Sequence, residues 1–211
     1  MQPEAVIDLH YFPSVETFIH LLDKEKVLAE FYCHYEKKTC KNRCYILGPH
    51  QVQRLTVPVL KTEGKTPYCQ VRIDYHQPWQ NHHWRSIRTA YGKAPYFEHY
   101  ADTIQKLIYS REEYLAQLNF KILTICLEIL QLPVKVNPTT EYRKNYLPPL
   151  QDLRDKISCA PVYNAPQEGY AQLFGKSFVH NLSVIDMLFC QGAQAVLFLR
   201  KNALPPTKQL L

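Results

Sequence analysis

Fifteen prolines set against six glycines cut this chain into short pieces. Proline lacks the N–H that a ladder needs and holds φ near one value, so it closes strands and helices or opens new helices. The first segment, Ala5 to Phe12, reads as a strand that stops at Pro13. Ser14 then caps a short helix with Val15, Phe18, Ile19 and Leu22 at helical spacing, and a second strand follows over about Lys26–Phe31. Strand, helix, strand in this order makes a parallel βαβ unit if both strands share a sheet.

Further along, Cys44–Leu47 and Arg54–Val59 read as a hairpin around Gly48-Pro49-His50. Val71–Ile73 is extended, Pro78 opens a helix to about Tyr91, and Gly92 ends it. Pro95 opens another helix. Ser110 and Glu113 form an S-x-x-E capping box for the longest helix, which runs to about Leu130 before Pro133. Val134–Val136 is a strand, Pro138–Glu141 a turn, and Pro148, Pro149, Pro161 and Pro166 punctuate a loop-rich stretch with one short helix near Leu150–Ile157. Asn181 or Ser183 caps a last helix, Val184–Gln191, stopped by Gly192. The expected architecture is α/β: one domain over residues 1–211, with a small mixed sheet flanked by helices, a helical middle third and a loop-rich C-terminal part.

Charge narrows the function. The net charge is +6, but residues 36–93 carry +8 and the remainder −2. A basic half attracts anions such as nucleotides, sugar nucleotides or acyl phosphates. Nucleic acid is the weaker partner, because no zinc-finger, basic-zipper or RNA-recognition signature accompanies the charge. No exporting leader and no apolar run long enough to span a bilayer is visible, so a cytoplasmic chain without membrane insertion is expected, with its seven cysteines reduced. Fifteen tyrosines suit either a hydrogen-bonded pocket or a Tyr-rich core.

Two constellations could carry chemistry. In Lys37-Lys38-Thr39-Cys40-Lys41-Asn42-Arg43, four cations with an amide would grip phosphate or carboxylate, or else form a solvated basic loop. On the helix after Pro78, Trp84, Arg88 and Tyr91 share a face, and His83 could act as acid or base; core packing is the competing account. Metal spacing is poor: there is no CxxC pair and no HExxH. Walker A, G-x-G-x-x-G and G-x-S-x-G signatures are likewise missing. An opening loop of the HxGH nucleotidyl-transferase kind could be matched by His10 alone.

Taken in order, Tyr11-Phe12-Pro13, Lys37-x-x-x-x-Asn42-Arg43-Cys44, Leu55-Thr56-Val57-Pro58-Val59, Val71-Arg72-Ile73-Asp74, Trp79, His83-Trp84, Ala90-Tyr91 and Pro95-Tyr96-Phe97-Glu98-x-Tyr100 resemble the WbqC-like protein family. Asn181-Leu182-Ser183-x-x-Asp186-x-Leu188-Phe189 continues the likeness near the end. The resemblance implies a bacterial protein of O-antigen, lipopolysaccharide or other surface-polysaccharide synthesis, with transfer of glycine, or another aminoacyl group, onto a sugar or sugar nucleotide as the implied activity. In that picture Lys37, Asn42 and Arg43 bind the anionic part of a phosphorylated or nucleotide donor, and His83 is the base that serves a sugar acceptor. Asp74 or Asp186 orients that base, while Tyr11, Thr56, Trp84, Arg88 and Tyr91 line the pocket. No metal and no certain cofactor is implied. The competing reading is a non-catalytic module that binds a glycan or a partner. Two departures stand out: Cys40 where many members carry an aromatic residue, and Leu9-His10-Tyr11 where longer forms read Met-Gln-Pro.

Overall fold

The computed structural model describes residues 2–62, 64–163 and 169–203; Pro166, one of the expected punctuation points, lies outside them. The chain opens with strand β1 (Ala5–Asp8), helix α1 (Val15–Leu21) and strand β2 (Lys26–Glu30). β1 and β2 pair in parallel, Ala5 opposite Val27 and Asp8 opposite Glu30, so the βαβ reading holds. All four residues of β1 are buried, as a central parallel strand covered on both faces requires. The strand ends at Asp8, four residues short of the expected Phe12. Ser14 does not cap α1 with its side chain; its Oγ donates instead to the Ser158 carbonyl at 2.7 Å.

A hairpin of β3 (Arg43–Leu47) and β4 (Val52–Thr56) follows, then the helices α2 (Trp79–Tyr91), α3 (Phe97–Tyr109) and α4 (Leu115–Ile129). Each helix buries one stripe: Trp79, His83 and Ile87 on α2, Ile104 and Ile108 on α3, Leu118, Ile122 and Cys126 on α4. The expected capping box is broken up. Ser110 closes α3 by donating to the Leu107 carbonyl, and Glu113 pairs with Arg72 at 2.6 Å. Residues 111–114 stay extended because Ile73 N–H reaches the Glu113 carbonyl and Arg72 bridges to Tyr114, so α4 starts later.

Strand β5 (Lys135–Pro138) joins β2, and β6 (Gln151–Asp152) joins β1, both in parallel. The sheet order is β5-β2-β1-β6. The helix expected near Leu150–Ile157 is absent: Gln151 N–H and Leu153 N–H bond the carbonyls of Glu4 and Val6, completing the open side of β1. Two-residue strands β7 (Val162–Tyr163) and β8 (Val179–His180) form a small antiparallel pair, so parallel and antiparallel pairing sit in separate sheets. Helix α5 (Val184–Gln191) is capped by Ser183 Oγ, which accepts from Ile185 N–H. A turn at Gly192 leads into α6 (Ala195–Lys201), which was not anticipated. Gly192 has φ +54, and a Cβ there would meet the Tyr96 ring at 2.4 Å, so both backbone and space demand glycine.

The cysteine expectation needs correction. Cys40 and Cys159, 119 residues apart in sequence, are joined by a disulfide, while Cys33, Cys44, Cys69, Cys126 and Cys190 are free thiols. Composition argued for reduction from compartment alone and could not see that the fold sets these two Cα atoms 5.9 Å apart. Among the described residues no helix is long and apolar enough to cross a membrane.

Candidate functional site

The residues singled out from the sequence fall in separate places. His83 is 4% exposed, and both of its ring nitrogens are engaged. Nε2 lies 3.2 Å from the Thr56 carbonyl, which can only accept, so Nε2 carries the proton and Nδ1 accepts from the Tyr11 hydroxyl at 2.9 Å. Burial pushes His83 down to about 4, leaving it neutral near pH 7. Tyr11, Thr56 and His83 thus meet, with the Trp79 ring 5.0 Å from that of His83, inside the packed core.

Tyr91 and Asp186 meet elsewhere. The buried Asp186 carboxyl accepts from Tyr91 at 2.8 Å, Tyr170 at 2.6 Å and Gln172 at 3.0 Å, and its desolvation raises its pKa despite those donors. The Tyr91 hydroxyl also accepts from Leu47 N–H, tying α5 to the hairpin. Asp74 sits in a turn where the His76 N–H and ring hold its carboxyl below the usual range. Asn42 is buried, donating to the Val57 carbonyl, and Arg43 begins β3. Trp84 stacks on Phe97, Lys37 is exposed on the loop after β2, and Arg88 is exposed on α2. These residues do not line one cleft, and the candidate base and its candidate carboxylate are each fully engaged with protein partners.

A different group converges at the carboxyl edge of the parallel sheet. The chain leaves β1 toward β2 on one side, and β6 arrives on the other, which opens a crevice beyond the strand ends; open α/β sheets bind ligands at such a switch point. A cavity of about 500 Å³ lies there, lined by Asp8, His10, Cys33, Lys41, Asp152 and Arg154 among others. Asp8, the last residue of β1, pairs with the buried Lys41 ammonium at 2.9 Å and accepts Asp155 N–H at 2.7 Å. Burial would raise Asp8, but Lys41 and that N–H outweigh it and hold the carboxyl below its ordinary value. Burial works to lower Lys41, and Asp8 more than restores its proton affinity.

His10 differs from His83 in one respect that counts. It lines the cavity, is 6% exposed, and its Nδ1 is sealed from solvent with no hydrogen-bond partner. Burial pushes it down to about 4, with Asp8 opposing and Lys41 assisting, so the imidazole is neutral. Beneath, Glu30 at the end of β2 is fully buried and takes Arg154 at 3.0 Å, Thr139 at 3.1 Å and Tyr32 N–H at 2.8 Å. Arg154 lies over the rings of Tyr142 and Tyr146. Burial pushes the Cys33 thiol up to about 12, so it holds its proton.

The family profile for the WbqC-like protein family matches residues 9–153. The chain belongs to that family. No curated protein and no solved structure matches the chain. The matched stretch of this WbqC-like chain takes in His10, Glu30, Lys41 and Asp152, whereas Arg154, Asp155, Cys159 and Asp186 lie beyond it. Family membership suggests a protein related to polysaccharide biosynthesis. Asp8, Glu30 and Arg154 escaped the sequence reading, yet a signal existed: Ala-Val-Ile-Asp and Val-Leu-Ala-Glu each end an apolar strand run in a carboxylate. Among the described residues no group of three or more His, Cys, Asp or Glu is placed to hold a metal ion.

Proposed function

We propose that this WbqC-like protein is an aminoacyl, specifically glycyl, transferase acting on a sugar or sugar nucleotide in surface-polysaccharide synthesis, with its reaction centre in the cavity beyond β1 and β6. The observation that carries this reading is the neutral, unpartnered His10 beside the Asp8–Lys41 pair. An acceptor N–H or O–H attacks the carbonyl carbon of the activated glycyl group. His10 takes the proton, the new N–C or O–C bond forms, and the activating phosphate or carrier departs with the electrons of the bond that held it. Lys41 lies close enough to steady the developing oxyanion, because Asp8 engages it through one carboxylate oxygen and leaves ammonium N–H groups over. In this reading Lys37 keeps its part as an anion contact on the exposed loop, Asn42 and Arg43 support the hairpin, and His83 with Tyr11 and Thr56 is core structure. A cytoplasmic setting goes with the reading, since activated sugars are its substrates, and in that reducing setting the Cys40–Cys159 bond would open and close with the redox state.

The test is an assay of the purified protein with glycyl donors and a panel of sugar nucleotides, followed by His10→Asn and His83→Asn. General-base catalysis predicts a loss of about 10²–10⁴ in kcat for His10→Asn with KM little changed. Glycyl transfer that survives His10→Asn, or no transfer to any acceptor in the panel, overturns the reading.

A further inference from the structure

The floor and the mouth of the cavity have opposite charge balances. On the floor, Asp8, Glu30 and Asp152 face Lys41 and Arg154. Every N–H of Arg154 already has an acceptor: Nε and one Nη2 hydrogen go to Asp152, the other Nη2 hydrogen to the Lys144 carbonyl, and the two on Nη1 to Glu30 and the Arg143 carbonyl. A guanidinium so occupied has no donor left for a phosphate. Lys41 is compensated by Asp8, and a phosphate forced down here would meet the carboxylates of Asp8 and Asp152. What the floor does offer is hydrogen bonding from groups whose charges are already paired: the edge of the His10 imidazole that lines the cavity, the remaining N–H groups of Lys41 and the oxygens of Asp8.

Around the mouth the cations are unpaired. Glu36, Thr39, Cys40 and Lys144 line it, and Lys37 and Lys38 fill the loop between two of those lining residues. Lys37, Lys38, Lys144 and Lys156 are exposed, against the exposed Glu36 and Asp155, and none of these four lysines makes an ion pair among the described residues. The loop is fixed on the cavity wall by the Cys40–Cys159 bond and by Tyr11 N–H donating to the Cys40 carbonyl. Its lysines therefore lie beside the wall that Glu36, Thr39 and Cys40 form.

We propose that the cavity seats a phosphorylated sugar with the sugar inward: the uncharged, hydroxyl-bearing ring lies against His10, Asp8 and Lys41, and the phosphate stays at the mouth on Lys37, Lys38 and Lys144. This assignment rests on the reading of a sugar-linked substrate and adds its orientation. It also replaces the sequence expectation that Asn42 and Arg43 share the anion with Lys37.

The probes are inorganic pyrophosphate, UDP, and a panel of UDP- and dTDP-linked hexoses, titrated into protein labelled at histidine ring carbons and backbone amides. His10→Gln assigns the His10 ring signal. Pyrophosphate and UDP are expected to shift amides of residues 36–41 and 144 without moving the His10 ring, and to lose tenfold or more in affinity in the K37A/K38A/K144A variant. At least one sugar nucleotide is expected to shift the His10 ring as well. Pyrophosphate moving the His10 ring with affinity lost in Lys41→Met but kept in the triple variant, no binding of either anion, or no His10 shift from any sugar nucleotide each overturn the orientation. Failure of glycyl transfer alongside the expected shifts would remove the proposed reaction while leaving the orientation standing. Transfer with pyrophosphate on the floor would do the opposite.

Discussion

Two buried histidines in this protein share the same shifted proton affinity for the same first cause, yet they are built for different work. His83 has a donor and an acceptor seated on its two nitrogens and is surrounded by Tyr11 and Trp79. His10 faces a cavity with a sealed nitrogen that nothing satisfies. A buried polar atom without a partner costs stability. Desolvation therefore does not separate the two histidines, and a missing partner alone does not either, since Trp79 Nε1 and Asn119 Oδ1 in the core share it; His10 stands apart because it also lines the cavity. The two carboxylate centres are likewise parted by place: both oxygens of Asp186 and both of Asp8 are engaged, but only Asp8 stands on the cavity wall.

The contrast breaks most visibly at the floor's supporting pair. Arg154→Met strands Glu30, which is fully buried, and the expected cost is about 3–5 kcal/mol in denaturant unfolding. A loss below about 1 kcal/mol would mean that Arg154 is not what holds the floor. Next comes the covalent tie between the basic loop and the segment after β6. Reducing Cys40–Cys159, or the Cys40→Ser/Cys159→Ser variant, is expected to lower stability by about 2–4 kcal/mol, because the bond closes a long loop of the unfolded chain. The Cys159 side should stay put, since Asn181 and Ser14 still hold the Ser158 and Ala160 carbonyls; faster amide exchange is expected at residues 36–40. Exchange rising equally on both sides would remove this asymmetry.

How far the sequence revealed these regions follows from what local pattern can encode. Pro13, the apolar run before it and the 3.6-residue stripes of α2 to α4 are local, so the βαβ start, the hairpin and the helices were legible. Gln151-Asp152 was not, because it becomes a strand only by completing the open side of β1, a pairing with residues far away in sequence. His83 drew attention through its aromatic neighbours, which are the signature of packing. His10 has no neighbours in sequence that mark it; the Lys41 and Asp155 that share its cavity arrive through the loop after β2 and the turn after β6. The basic run was visible as charge, but sequence could not tell that Lys41 turns inward to Asp8 while Lys37 remains exposed. Nor could spacing pair Cys40 with Cys159.

The finer distinction lies in how each histidine answers to substitution and pH. His83→Ala removes two hydrogen bonds and leaves Tyr11 and the Thr56 carbonyl unpaired in the core, so a loss of about 2–4 kcal/mol in thermal or urea unfolding is expected. His10→Leu instead removes a polar atom that had no partner, and the expected change is within about 1 kcal/mol and can be a gain, since active-site groups are commonly held at the expense of stability. Both histidines are lowered from 6.5 to about 4 in the folded chain. The unfolded chain therefore binds more protons between those values, so stability is complete above pH 6.5 and falls as pH drops toward 4, with a slope of about 1.4 kcal/mol per pH unit for each histidine. His10→Leu should take one proton's worth of that slope away while leaving stability at pH 7.5 almost unchanged, a result read from urea titrations at several pH values. If instead His10→Leu destabilises the protein at pH 7.5 as much as His83→Ala does, the imidazole is a packing element like its counterpart, and the cavity loses its base.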